Sequence, residues 1–366
     1  MTCRKVFLSI LGTILVIWFA GGCSTPKATP IPPTATLTPE PPTSTPTYVP
    51  PTVALTPESP TSTPTFVPPT VAPGGFPRRF HVEGNTFVDQ YGQTMVFRGM
   101  APIDPVLQAL GGKPEYGVWG EHHYQVMAEW GANIIRVPIV PDNLHTHVMN
   151  EVLRILDQTI AWAAENKMYV IIDFHSIGWP PEYYYYANCD YTYPLEIMDF
   201  WDTISRRYAD NDVVAFYELY NEPATRASET GYSATAEDWL VWKDFMEQVI
   251  AVVRANDPDK IILVGGLTYA YDLSFVADKP IEGSNIAYVT HPYSVHPMDD
   301  WDSAFGRLSS QYPVFATEFG YSQSDFPDID INGTPYHQAI IDYLEAHHVS
   351  WTVWCFDATW QTTCGC

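Results

Sequence analysis

"VVAFYELYNEPA", residues 213–224, carries an apolar run from Val213 to Tyr220 straight into Asn221, Glu222 and Pro223. A run of this length, apolar but for Glu218, reads as a strand buried on both faces, and such strands belong to parallel sheets covered by helices. Seven other runs have the same character: "MVFRG" from Met95, "NIIRVPI" from Asn133, "MYVIIDF" from Met168, "KIILVGG" from Lys260, "NIAYVTH" from Asn285, "PVFATEF" from Pro313 and "SWTVWCF" from Ser350. Amphipathic segments alternate with them, most clearly at 149–166 and 236–257. Eight strand–helix units in this span predict an α/β fold, a closed (β/α)8 barrel, rather than an open doubly wound sheet. A hairpin-like stretch ahead of the first unit, residues 80–97 with turns at Gly84 and Gly92, is expected to plug the bottom of the barrel.

Upstream of this region the chain has another character. Residues 1–23 place Arg4 and Lys5 before an apolar run from Val6 to Ala20, then small residues up to Cys23. The run is too short to span a bilayer comfortably and reads as a secretory signal. The end of this stretch resembles a bacterial lipoprotein signal, although Ala20 stands where such signals usually carry leucine, so both a lipid anchor at Cys23 and simple secretion are expected outcomes. Residues 24–75 are rich in Pro, Thr and Ser, and "LTPEPPTSTPTYVPPTVA" at 37–54 returns almost unchanged at 55–72. Such a composition cannot supply a core and predicts a disordered, extended linker. Residues 76–366 form the expected catalytic domain.

With 42 acidic against 18 basic residues the net charge is -24, which excludes nucleic acid and attraction to an anionic membrane surface. Aromatics are 14% of the chain, nearly all in the last region and more than a core requires, which suits a neutral partner with flat apolar faces. Cys189, Cys355, Cys364 and Cys366 show no metal-site spacing, and their disulfide pairing is not readable from the sequence. No Gly-rich phosphate motif follows any strand, so no nucleotide cofactor is expected, and no metal.

In a barrel of this type the chemistry sits at the C-terminal ends of the strands. There the sequence places Arg136, Asp173 and His175, Asn221 and Glu222, His291 and Tyr293, Glu318, and Trp354. Each alone has an ordinary structural reading. Together, at one end of six strands, they are not what core packing produces, because an unpaired buried charge costs several kcal/mol.

Five of the motifs, "ELYNEP" at 218–223, "VTHPY" at 289–293, "ATEFG" at 316–320, "NIIRVPI" at 133–139 and "WTVWCFD" at 351–357, carry a resemblance to the cellulase family of (β/α)8 barrels, glycoside hydrolase family five. The resemblance implies Glu222 as acid/base and Glu318 as nucleophile. It further implies that Asn221 binds the sugar 2-hydroxyl, that Arg136 and Tyr293 hold the nucleophile, that His175 and His291 line the site, and that Trp354 is a sugar platform. The loop after the third run, "HSIGWPPEYYYYANCDYTY", is a candidate cleft wall, with Trp179 expected to meet substrate.

Retaining cleavage of a glycosidic bond needs one ionised carboxylate and one carboxylic acid about 5 Å apart. Glu318 beside Arg136 is expected to stay ionised. Glu222, facing Glu318 in a partly desolvated cleft, is expected to hold its proton. The expected activity is an endo-acting β-1,4-glucanase, secreted or tethered at the cell surface, acting as a monomer on cellulose or a related β-glucan. The alternatives are a β-mannanase or another β-glucanase of the same family, or a carbohydrate-binding surface lipoprotein without turnover. Two departures stand out. "RGMAP" replaces the family's usual Asn after the first strand, and the chain ends about where an eighth helix would begin, which points to truncation.

Overall fold

Each of the eight apolar runs forms a strand in the computed structural model, which describes residues 75–111, 119–228, 234–296, 298–321, 329–331 and 333–356. The readings made for the signal, the repeat, Cys23, Cys364, Cys366 and the region of an eighth helix lie outside the described residues. The strands are β1 (Arg98–Ala101), β2 (Ile134–Ile139), β3 (Tyr169–Phe174), β4 (Val214–Glu218), β5 (Ile261–Gly265), β6 (Ile286–Val289), β7 (Val314–Ala316) and β8 (Ser350–Trp354). They close into one barrel in the order β5-β6-β7-β8-β1-β2-β3-β4, every neighbouring pair parallel. The fold is therefore the α/β barrel expected from the sequence.

The helices that cover it are α1 (Glu121–Glu129), α2 (Met149–Glu165), α3 (Pro194–Tyr208), α4 (Ala236–Asn256) and α5 (Tyr336–Ala346). Helix α2 buries Val152, Leu153, Ile155, Leu156, Ile160 and Ala163, an apolar stripe recurring every three to four residues. Helix α4 starts at a capping box: Thr235 Oγ1 accepts from the Asp238 amide at 3.2 Å while the Asp238 carboxylate accepts from the Thr235 amide at 2.8 Å.

The segment before the barrel is a three-stranded antiparallel sheet, Phe80–Glu83, Thr86–Asp89 and Thr94–Met95. Its turns use Gly84 at φ 60° and Gly92 at φ 78°, backbone that costs glycine nothing. Phe80 and Phe87 from this sheet meet Phe97, Tyr169, Phe216 and Phe315, mostly edge to face, with centroids 5.0 Å apart for Phe80–Phe97 and 5.1 Å for Phe87–Phe216. This aromatic floor closes one end of the barrel and leaves the other for polar residues.

One expectation fails. Residues 266–285, between β5 and β6, make no helix. Instead Thr268, Tyr269 and Ala270 take φ values of 57°, 59° and 58°, a left-handed conformation unfavourable for side chains with a Cβ. Long-range bonds hold it. Leu267 and Asp272 exchange both backbone hydrogen bonds at 2.9 Å, the Tyr269 amide donates to the Pro223 carbonyl at 3.0 Å, and the His291 amide donates to the Ala270 carbonyl at 3.2 Å.

Candidate active site

The question raised by the opening stretch is what holds Glu222 after β4 has ended. The backbone of residues 221–224 runs on beside the loop that follows β3. The Asn221 amide donates to the Phe174 carbonyl at 3.0 Å, the Glu222 amide to Ser176 at 3.1 Å and the Ala224 amide to Gly178 at 2.9 Å. Glu222 and Pro223 pair in parallel with Ile177 and Gly178, and Gly178 and Trp179 pair in turn with Tyr185 and Tyr184. The acid is thus delivered on a short second sheet rather than on a free turn.

Arg136, fully buried on β2, organises the centre. Its Nε and one terminal nitrogen donate to the two oxygens of Glu218 at 2.8 and 3.0 Å, a bidentate pair. Its other terminal nitrogen donates to Glu318 Oε2 at 2.9 Å, and Asp173 Oδ2 lies 3.0 Å from the terminal nitrogen that bonds Glu218. Arg136 also donates to Asn221 Oδ1 at 2.6 Å. That bond occupies the amide oxygen and leaves the Asn221 NH2 as a donor toward a bound hydroxyl. The second oxygen of Glu318 accepts from the Tyr293 hydroxyl at 2.6 Å.

The two histidines are tied to acids. His175 Nδ1 lies 2.7 Å from Asp173 Oδ2, and its ring stacks on Trp354 with centroids 5.1 Å apart and 13° between planes. His291 Nδ1 lies 3.0 Å from Glu222 Oε1. One carboxylate oxygen each of Glu222 and Glu318 and a ring nitrogen of His291 lie within 4.8 Å of one another.

These contacts separate the two glutamates electrically. Burial alone would raise both. For Glu318 the charges of His291, Arg136 and His175 and the Tyr293 hydrogen bond outweigh burial and lower the pKa, so it stays ionised. For Glu222 burial dominates and the charge of Glu318 adds to it, against His291, so the pKa is raised. Burial opposes charging His291 as well, but hydrogen bonds to Glu218 and Glu222 and the charge of Glu318 push it up to about 9. The surroundings thus favour a proton on the Glu222–His291 pair and ionisation of Glu318 beside it.

Eight of the nine site residues read from the sequence come together here: Arg136, His175, Asn221, Glu222, His291, Tyr293, Glu318 and Trp354. Trp179 does not. It is 2% exposed and stacks on Trp242 at 5.5 Å, part of the packing between the β3 loop and α4. The exposed rings of that loop are Tyr183, Tyr186, Tyr191 and Tyr193, and Tyr186 meets Tyr269 edge to face at 6.4 Å. Cys189 in the same loop is disulfide-bonded. The sequence reading also passed over Glu218 and Thr317, which are completely buried. Strand periodicity was the available signal, since Glu218 shares a barrel-facing side with Phe216 two residues earlier.

The family model for cellulase, glycosyl hydrolase family 5, matches residues 88–359. Endoglucanase CelA of Streptomyces lividans is 26% identical over 284 residues, covering 75% of this chain and 56% of the relative. An endoglucanase of Clostridium saccharobutylicum is 30% identical over 232 residues, 62% of this chain and 46% of the relative. The chain thus spans about half the length of the curated relatives it matches. Among solved structures, β-glucanase SdGluc5_26A of Saccharophagus degradans superposes with a TM-score of 0.69 at 35% identity, covering 78% of this chain and 87% of that one. Its complex with cellotetraose superposes equally well. The catalytic domain of Thermobifida fusca endoglucanase Cel5A gives a TM-score of 0.58 at 27% identity, covering 76% and 85%. A match through all eight strands and the polar ring above them means that this chain belongs to the cellulase family, glycosyl hydrolase family 5.

Proposed function

We propose that this protein hydrolyses β-1,4-linked glucan internally, with retention of configuration, Glu318 acting as nucleophile and Glu222 as acid and then base. The observation that carries the reading is the approach of the two carboxylates to within 4.8 Å, in surroundings that raise the pKa of Glu222, through burial and the charge of Glu318, and lower that of Glu318. Double displacement uses a separation of about 5 Å, whereas inversion needs about 6.5 Å or more to admit a water between the groups. Glu318 attacks the anomeric carbon as Glu222 protonates the departing oxygen. Glu222, relieved of the neighbouring charge, then takes a proton from the water that releases the sugar.

The substrate follows from the surfaces around the pair. Trp354, propped by His175, offers a flat face, and the exposed tyrosines of the β3 loop offer more. β-1,4-Glucose has only equatorial hydroxyls and presents flat apolar faces to such rings. The cellotetraose complex of the Saccharophagus degradans β-glucanase supports the same class. A soluble cellulose derivative or mixed-linkage glucan should lose viscosity early, before much reducing sugar appears, with short oligosaccharides as products. Faster hydrolysis of a β-mannan, or release of glucose alone, would overturn this reading.

We also propose that the protein works outside the cell, held by lipid at Cys23. The apolar run before Cys23 motivates this, and the disulfide at Cys189 suits an oxidising compartment. A chain starting at Phe76 should keep full specific activity and lose membrane association, and Cys23→Ser should lose only the association. Equal partition of wild type and Cys23→Ser into detergent would remove the anchor.

A further inference from the structure

His291 lies between two acids that play different parts. Its Nδ1 faces Glu222, while its Nε2 lies 3.0 Å from Thr317 Oγ1. Thr317 has a single hydroxyl proton and donates it to Glu218 Oε1 at 2.8 Å. Glu218 is ionised: burial opposes it, but Arg136 and His291 outweigh that and hold its pKa down to about 2. An ionised carboxylate only accepts, so Thr317 Oγ1 must in turn accept from the ring. Nε2 then carries a hydrogen whether the imidazole is charged or neutral, and in the neutral ring Nδ1 is a bare lone pair aimed at Glu222.

We propose that Thr317 and Glu218 are positioning residues that lock His291 in its Nε2–H tautomer and thereby make the Glu222–His291 pair hold its proton tightly. With that proton present every contact is satisfied, since either Glu222 donates to Nδ1 or Nδ1–H donates to Glu222. Once the proton has gone, a carboxylate and a lone pair face each other 3.0 Å apart with nothing between them. A ring free to move its hydrogen to Nδ1 would instead donate to the carboxylate and stabilise the deprotonated pair. The lock keeps the acid loaded, and it makes the emptied pair a stronger base.

Resting on the retaining reading above, one proton leaves Glu222 and one returns to it in each turnover. The Glu222 proton passes to the glycosidic oxygen as its bond to C1 breaks and a Glu318 oxygen bonds C1. In the second step a water oxygen bonds C1, the bond to Glu318 breaks, and the water's proton returns to Glu222. Other groups also face the pair: Glu318 after β7, Glu218 on β4 and Asp190 in the β3 loop as acids, Arg136 on β2 and His175 after β3 as cations, and the phenols of Tyr220 and Tyr293. None of these residues is itself replaced in a series of Thr317 variants; valine also removes the donor to Glu218, and serine keeps it.

In Thr317→Val the alkaline limb of kcat/KM should move down by about one pH unit, a roughly tenfold loss above the limb, with the acid limb unmoved. Thr317→Ser, which keeps the hydroxyl, should restore the wild-type limb. A Thr317→Val enzyme that is weaker at every pH with both limbs in place would overturn the proposal, because a merely structural defect does that. The tautomer can also be read without any variant at position 317, from ring nitrogen-15 shifts of wild type above the pair's titration, the His291 signals being those lost in His291→Gln. Hydrogen on Nε2 is expected, and hydrogen on Nδ1 would overturn the lock. Failure of wild type to cleave any glycan would sink the glycosidase reading while leaving this spectrum interpretable.

Discussion

Glu318→Ala and Glu222→Ala should each cut turnover on a β-glucan by roughly four to six orders of magnitude and yet respond to azide in opposite ways. With an activated aryl glycoside, whose leaving group needs no proton, Glu222→Ala should still form the glycosyl-enzyme. Azide should then enter the space left by the acid and give a product of retained configuration. In Glu318→Ala the space opens on the nucleophile's side, so azide attacks from there and the product is inverted. The asymmetry follows from the electrostatics of the site: Arg136 and Tyr293 bond the two oxygens of Glu318, whereas among the described residues the hydrogen-bond partner of the Glu222 carboxylate is His291. Azide products of the same configuration from both mutants would mean that the assigned roles are wrong.

Arg136→Met should cost about 3–5 kcal/mol of stability near neutral pH, because it leaves Asp173, Glu218 and Glu318 facing one another in the barrel without their shared cation. The pH dependence of that loss distinguishes it from a packing defect. In wild type the Glu218 pKa is depressed from an ordinary 4.5 to about 2, so its contribution is complete above 4.5 and is lost as pH falls toward 2. Burial already raises Asp173 in wild type; without Arg136 the folded-state pKa values of Glu218 and Glu318 should rise too, and stability contributed by an acid raised above its unfolded value is lost as pH rises through the unfolded value. The gap between wild type and mutant should therefore widen from pH 4 to pH 7. Urea midpoints separated equally at both pH values would reject the charge argument.

The eight strands were legible because a doubly buried parallel strand leaves a nearly continuous apolar run, and six of the eight runs carry or end at the residues that form the site. The residues that support the site were harder to see. Glu218 sits inside an apolar run, and only the side of β4 it occupies marks it as a barrel-facing acid. Thr317 has nothing in the sequence to mark it beside Glu318, because its part depends on His291 arriving from β6. Trp179 was misplaced because an aromatic loop next to a cleft gives no sign, in one dimension, of which ring turns inward. The helix missing between β5 and β6 has the same cause. The left-handed backbone at 268–270 depends on partners at Pro223 and His291, far away in sequence, and local propensity does not encode it.

The pairing of Glu222–Pro223 with Ile177–Gly178 bears on how this protein can be altered. The tyrosine-bearing segment is the natural one to exchange when a different glycan is wanted, yet its first residues form the ladder that fixes Glu222. Specificity and turnover are not separable modules at this edge of the cleft. A graft cut at His175 would replace both at once. A graft confined to residues 186–193, beyond the strand that pairs with Gly178 and Trp179, would exchange exposed rings and spare the ladder, provided that Cys189 and the Asp190 contacts to Ile177 and Ala187 are kept.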